Sequence, residues 1–223
     1  MKKTQGNLTL LSMLFAVSLI IANVVTGKLF ATGLTIFGTE ITLPGAVLCY
    51  AITFLITDIV GEIWGRREAN QIVIYGMVGQ ILATVLIVGT QYIPAHDPAA
   101  QAAYELLLGQ NWVFVIGSLA AYLCSQAWDV WVFHKIRDAY IKRHGSTKGG
   151  RWIWNNASTG TSQIIDTVIF TLISFGLGMG WLFSAQGRKT LIAMMIGQYL
   201  YKLLLALMDT PIFYFFTRKA TKG

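Results

Sequence analysis

Charge is what this 223-residue chain has least of. Asp, Glu, Lys and Arg make up 12% of it, hydrophobic residues make up 55%, and mean hydropathy is +0.58. A soluble domain carries roughly 25% charged residues, so this composition excludes an ordinary water-soluble fold and points to a membrane protein. Cysteine is scarce too. Cys49 and Cys124 both lie in apolar segments, offer no spacing for metal ligation or a disulfide framework, and read as packing residues. The motifs G-x-x-x-x-G-K-[ST], H-E-x-x-H and paired C-x-x-C are all missing. The basic, glycine-rich stretch RHGSTKGGR at 143–151 also lacks the phosphate-loop spacing. The chain therefore has no ATPase of its own, and no metal or cofactor is expected.

What is present is apolar sequence in long runs. A helix needs about 20 apolar residues to cross the roughly 30 Å hydrocarbon core. Six segments reach that length: about 8–28, 43–64, 70–92, 111–135, 158–180 and 190–217. The expected fold is an all-α integral membrane protein, six transmembrane helices in one bundle, forming a single transmembrane domain over 1–223. The first segment is too long for a signal-peptide core and has no small-residue cleavage site after it, so it reads as a retained span.

The formal net charge of +7 would suit a nucleic-acid partner, but the basic residues gather at the ends of apolar segments, where topology signals belong. Thirteen of the 17 lie in the N-terminus, the second and fourth connections and the C-terminus. Lys28, Arg188 and Lys189 face the other side, and Lys202 is inside the sixth span. The positive-inside rule then places both termini in the cytoplasm, with the lipid bilayer and not nucleic acid as the partner. The connection 93–110 has no Lys or Arg, which suits an external loop, and its Ala-rich part predicts a short interfacial helix.

Two spans carry nearly the same polar string. Residues 125–133 read SQAWDVWVF and 162–170 read SQIIDTVIF, both fitting S-Q-x-x-D-x-x-[VI]-F. A charge at the centre of a membrane helix costs about 2.5–3.5 kcal/mol on insertion scales, so its repetition marks a site. Ser125, Gln126, Asp129 and Phe133 fall on one helical face, and Ser162, Gln163, Asp166 and Phe170 repeat the pattern. With the fifth span starting near 158, both aspartates are expected roughly 9–12 Å from the inner face, on antiparallel helices, as in an inverted-repeat transporter. Two carboxylates, two amides and two aromatic rings are suited to a small, polar, planar ligand.

Other polar residues compete with simpler roles. Asn23 can serve a helix–helix hydrogen bond as well as a ligand. Asp58 is read as functional, whereas Glu62, four residues before Arg66, equally suits a helix-end ion pair. Lys202 is expected to neutralise a carboxylate on a neighbouring helix, with Asp129, Asp166 and Asp58 as candidates. Asp209 precedes Pro211 and can instead satisfy backbone groups freed by a kink. The expected substrate-binding set is thus Asp129, Asp166, Gln126, Gln163, Lys202, Asp58, Asn23, Phe133 and Phe170, between helices 2, 4, 5 and 6. Glu62, Asp209, Ser125 and Ser162 form a second tier.

Several of these residues lie in longer strings that occur in order: Asn23 in the first span, TDIVGEIWG at 57–65, SQAWDVWVFHKIR at 125–137, ASTGTSQIIDT at 157–167 and QYLYKLLLALMDTP at 198–211. In these the chain resembles the queuosine precursor transporter family, six-helix inner-membrane proteins once grouped as vitamin uptake transporters. The resemblance covers essentially the whole chain. It implies import of 7-cyano-7-deazaguanine and its aminomethyl relative for queuosine synthesis in transfer RNA. Such a base offers N1–H and an exocyclic amine to a carboxylate, Asp129 or Asp166. Its carbonyl needs a donor such as Gln126, Gln163 or Lys202, and its ring needs faces such as Phe133 and Phe170.

The leading expectation is a secondary transporter acting alone or as a homodimer. The alternative is a substrate-binding membrane subunit served by separate ATPase partners. A membrane enzyme with paired carboxylates is disfavoured, because the sequence has neither a metal-ligand cluster nor a nucleophile–base arrangement.

Overall fold

The computed structural model describes residues 2–144 and 151–217, with side chains placed over 2–143 and 157–205. Helix α1 (Gln5–Val25) opens where the Thr4 hydroxyl accepts the Asn7 backbone N–H at 3.3 Å. It stops three residues before the expected end of the first span. Strands β1 (Leu29–Ile36) and β2 (Thr39–Pro44) follow, an antiparallel hairpin that the hydropathy reading did not foresee. The reason is local. Thr32, Thr35, Thr39 and Thr42 favour extended backbone, and Phe37 (φ 51°) and Gly38 (φ 73°) supply the positive-φ pair of a two-residue hairpin turn. The Gly45 N–H closes the base onto the Lys28 carbonyl at 2.7 Å.

Helix α2 (Ala46–Ile63) turns into α3 (Arg66–Gln91) through Gly65, whose φ of 110° favours glycine. The expected short helix is α4 (Pro98–Leu108), with Asp97 capping the Ala99 N–H at 2.9 Å. Helix α5 (Asn111–His144) runs well past the expected end of the fourth span. Helix α6 (Arg151–Thr171) continues as a π-helical turn over Leu172–Leu177, and α7 (Ala185–Thr217) closes the chain. α6 begins at Arg151, ahead of the apolar run expected from about 158, so Asp166 lies roughly 22 Å along its helix. Residues 152–156, ahead of the apolar run that set the expected span, are helical as well, because helix formation does not require apolar residues.

The chain is a multi-pass membrane protein built as a helical bundle. Five helices among the described residues are long and apolar enough to cross a bilayer. The sixth expected span coincides with α7, whose side chains beyond 205 lie outside the described residues. On α3, Ile74, Val78, Ile81, Leu82 and Val85 stand exposed along the helix, a stripe that only lipid or another chain would cover without cost.

Packing fixes the arrangement that matters for the site. α5 and α6 form the most extensive helix pair, and α1 packs on both α2 and α3. α2 also touches α7, and α5 also touches α3. α1 and α3 thus make one wall, α6 and α7 the opposite wall, and α2 and α5 span between them. The hairpin seats β2 along α7: a side chain at Gly197 would collide with Ile41, and Ile41, Leu43 and Val47 form a buried cluster against Tyr201.

Candidate functional site

All six long helices contribute to one cavity of about 330 Å³, within the range of small-molecule sites. Its lining is mainly apolar, aromatic and amide, and among the described lining residues Asp166 and Lys202 are the only charged pair. The Lys202 ammonium donates to Asp166 Oδ2 at 2.6 Å and to Thr167 Oγ1 at 3.0 Å, joining α7 to α6. The carboxylate stays 30% exposed and the lysine 15%, so the pair is held yet remains open to a ligand. Lys202 therefore has the neighbouring carboxylate that its place in an apolar span demanded.

The two motif copies do meet, but asymmetrically. Ser162 Oγ donates to Asp129 Oδ1 at 3.5 Å, and Trp128 Nε1 donates to Thr161 Oγ1 at 3.1 Å, both across the α5–α6 seam. Asp129 lies on that seam and does not line the cavity, whereas Asp166 does. Ser125 and Gln126 of the first copy, and Ser162, Gln163 and Phe170 of the second, also line it. Phe170 is buried and meets Phe175 edge to face at 6.1 Å. Phe133 packs edge-on against His134 at 5.6 Å and is absent from the lining.

Asn23 lines the cavity from α1. Asp58 and Glu62 are exposed on α2 and do not line it, although Thr57 beside them does. Asp209 lies outside the described side chains. No group of three or more His, Cys, Asp or Glu side chains able to hold a metal comes together among the described residues.

The sequence reading missed part of the lining. Tyr50 and Phe54 of α2 stack at 6.3 Å with 26° between their planes, forming an aromatic shelf in the cavity. Aromatic residues are common in membrane helices, so nothing in the string singles these two out. Gln198 lines the site from α7 and donates to Thr171 Oγ1 at 3.1 Å. Gln80 lines it from α3. An amide inside the apolar α3 run was a usable signal, of the same kind that marked Asn23.

Comparison with known proteins gives this geometry its context. Residues 44–216 match a family model described as "putative vitamin uptake transporter". The chain belongs to this family. A relative from Bacillus subtilis (strain 168), named "Probable queuosine precursor transporter", is 32% identical over 180 residues, covering 80% of this chain and 72% of the relative. No solved structure matches. As a member of the vitamin uptake transporter family, the chain is a transporter and not an enzyme.

Proposed function

We propose that this protein imports 7-deazaguanine bases, the queuosine precursors 7-cyano-7-deazaguanine and 7-aminomethyl-7-deazaguanine. It does so across the inner membrane through six spans with both termini cytoplasmic. The observation that carries the reading is the Asp166–Lys202 pair on the cavity surface. Along one edge of such a base, an exocyclic amine and N1–H sit next to a carbonyl oxygen. A carboxylate and an ammonium side by side match that edge: Asp166 accepts from the two donors, and Lys202 turns from Asp166 to the carbonyl. The Tyr50–Phe54 shelf and Phe170 take the ring faces. Gln163 and Gln126 supply further polar contacts from the lining. Asp129 acts one layer back, holding Ser162 on the α5–α6 seam.

A ligand lacking the donors would leave Asp166 desolvated with only Lys202, so the pair discriminates against such analogues. The relative's printed name supports this substrate class. The test uses purified protein in liposomes. Uptake of labelled 7-cyano-7-deazaguanine without any added subunit is expected. A requirement for an ATPase partner would sink the stand-alone transporter, and failure to bind any deazaguanine would sink the substrate.

A further inference from the structure

We propose that Asn23 and Gln80 form a second recognition pole, one that reads the ring N–H on the pyrrole side of the base and so distinguishes free base from nucleoside. This inference rests on the deazaguanine reading above.

Both side chains are buried, Asn23 at 0% and Gln80 at 2% exposure, and both line the cavity. The Asn23 Oδ1 and Gln80 Oε1 atoms are shielded from solvent and have no hydrogen-bond partner. Their orientations are set by their nitrogens. Asn23 Nδ2 donates to the Leu19 carbonyl at 3.3 Å, where a flipped amide would set oxygen against oxygen. Gln80 Nε2 donates to Thr84 Oγ1 at 3.3 Å, while that hydroxyl already spends its proton on the Gln80 carbonyl at 2.9 Å. A flipped Gln80 would again face an oxygen with no proton to give. Two acceptors are therefore fixed and unmet.

They also lie on neighbouring helices that line the same cavity. α1 and α3 run parallel, with Gly76 facing Phe15 and Leu19, and Gly79 facing Ile20. The same register carries Gln80 to within one helical turn of the level of Asn23. This wall stands opposite α6 and α7, where Asp166 and Lys202 hold the other end of the ligand. The chemistry of the missing donor follows from what accompanies the two oxygens. No carboxylate among the described lining residues lies on α1 or α3, so the wall suits a neutral N–H better than an ammonium. In a deazaguanine whose amine–carbonyl edge is at Asp166 and Lys202, the neutral donor at the far end is the pyrrole N–H. In a nucleoside that position carries ribose.

Calorimetry on the purified full chain tests this with 7-cyano-7-deazaguanine and its isosteric furopyrimidine analogue, in which an oxygen replaces the pyrrole N–H. The unaltered protein is expected to prefer the base by roughly tenfold, the effect of one buried acceptor gaining or losing its donor. Gln80→Leu and Asn23→Leu should each weaken base binding by about that factor and leave the analogue's affinity unchanged. If leucine abolishes the melting transition, Gln80→Met and Asn23→Val take its place with the same expectation. Equal affinity of the unaltered protein for both ligands overturns the second pole alone, as do variants that weaken both ligands equally. No binding of the base by the unaltered protein overturns the substrate reading together with it.

Discussion

Asp129 and Asp166 hold the same place in two copies of one motif, yet only Asp166 opens onto the cavity and pairs with Lys202, while Asp129 receives the Ser162 hydroxyl on the helix seam. The repeat brought the two helices together. It did not give their aspartates equivalent surroundings.

The asymmetry separates two isosteric substitutions. Asp166→Asn removes the charge that accepts the ligand's donors and should weaken 7-cyano-7-deazaguanine binding roughly 10- to 100-fold, the worth of a hydrogen bond to a charged group. Asp129→Asn should keep most of the affinity. Binding isotherms of both variants decide it, and equal losses would put Asp129 back in the site.

Lys202→Met leaves Asp166 without its counter-charge and should destabilise the fold by roughly 1–3 kcal/mol, between the cost of breaking an exposed pair and a buried one, because this pair is only partly buried. Lys202→Met combined with Asp166→Leu should recover much of that stability and none of the binding. Thermal melts in detergent, set beside binding, would show whether stability and function part in this way. A double variant that melts lower than both singles contradicts the pairing account.

Gly197→Val places a side chain where Ile41 of the hairpin already sits. Overpacking of this kind costs about 1–3 kcal/mol, so the variant should melt lower and Ile41→Ala should relieve it in part. Full additivity of the two changes would mean that the hairpin and α7 do not bear on one another.

The basic-residue distribution predicts a cytoplasmic C-terminus. A C-terminal phosphatase fusion, active only outside the cytoplasm, should be silent, and a C-terminal fluorescent fusion should glow. The reverse pattern would invalidate the proposed orientation.

The spans were legible in the sequence because hydropathy over 20 residues is a strong signal, and α2 and α3 end within a few residues of expectation. The hairpin was not, because a test for bilayer-length apolar runs passes over 16 residues in which threonine and glycine interrupt the apolar side chains. Asp166, Gln163 and Lys202 stood out since polar groups in apolar helices are costly and therefore conspicuous. Their separation from Asp129 was hidden, because helical spacing tells which residues share a face and not which neighbour that face meets. Tyr50 and Phe54 were hidden for a plainer reason. An aromatic in a membrane helix is ordinary until the fold puts it beside a cavity.

The helix ring has a mechanical corollary. Among the described residues, α1 and α3 have no substantial packing of their own against α6 and α7. A ligand gripped by Asp166 and Lys202 on one side and by the amides on the other would be the strongest tie between those halves. Cargo would then act as a rivet: its arrival draws the halves together, and its departure lets them part. A state that closes around the ligand gains by the difference in its affinity for that state, and by nothing else. Molecules that engage one half alone should occupy the cavity without drawing it shut, and so block passage while not being carried.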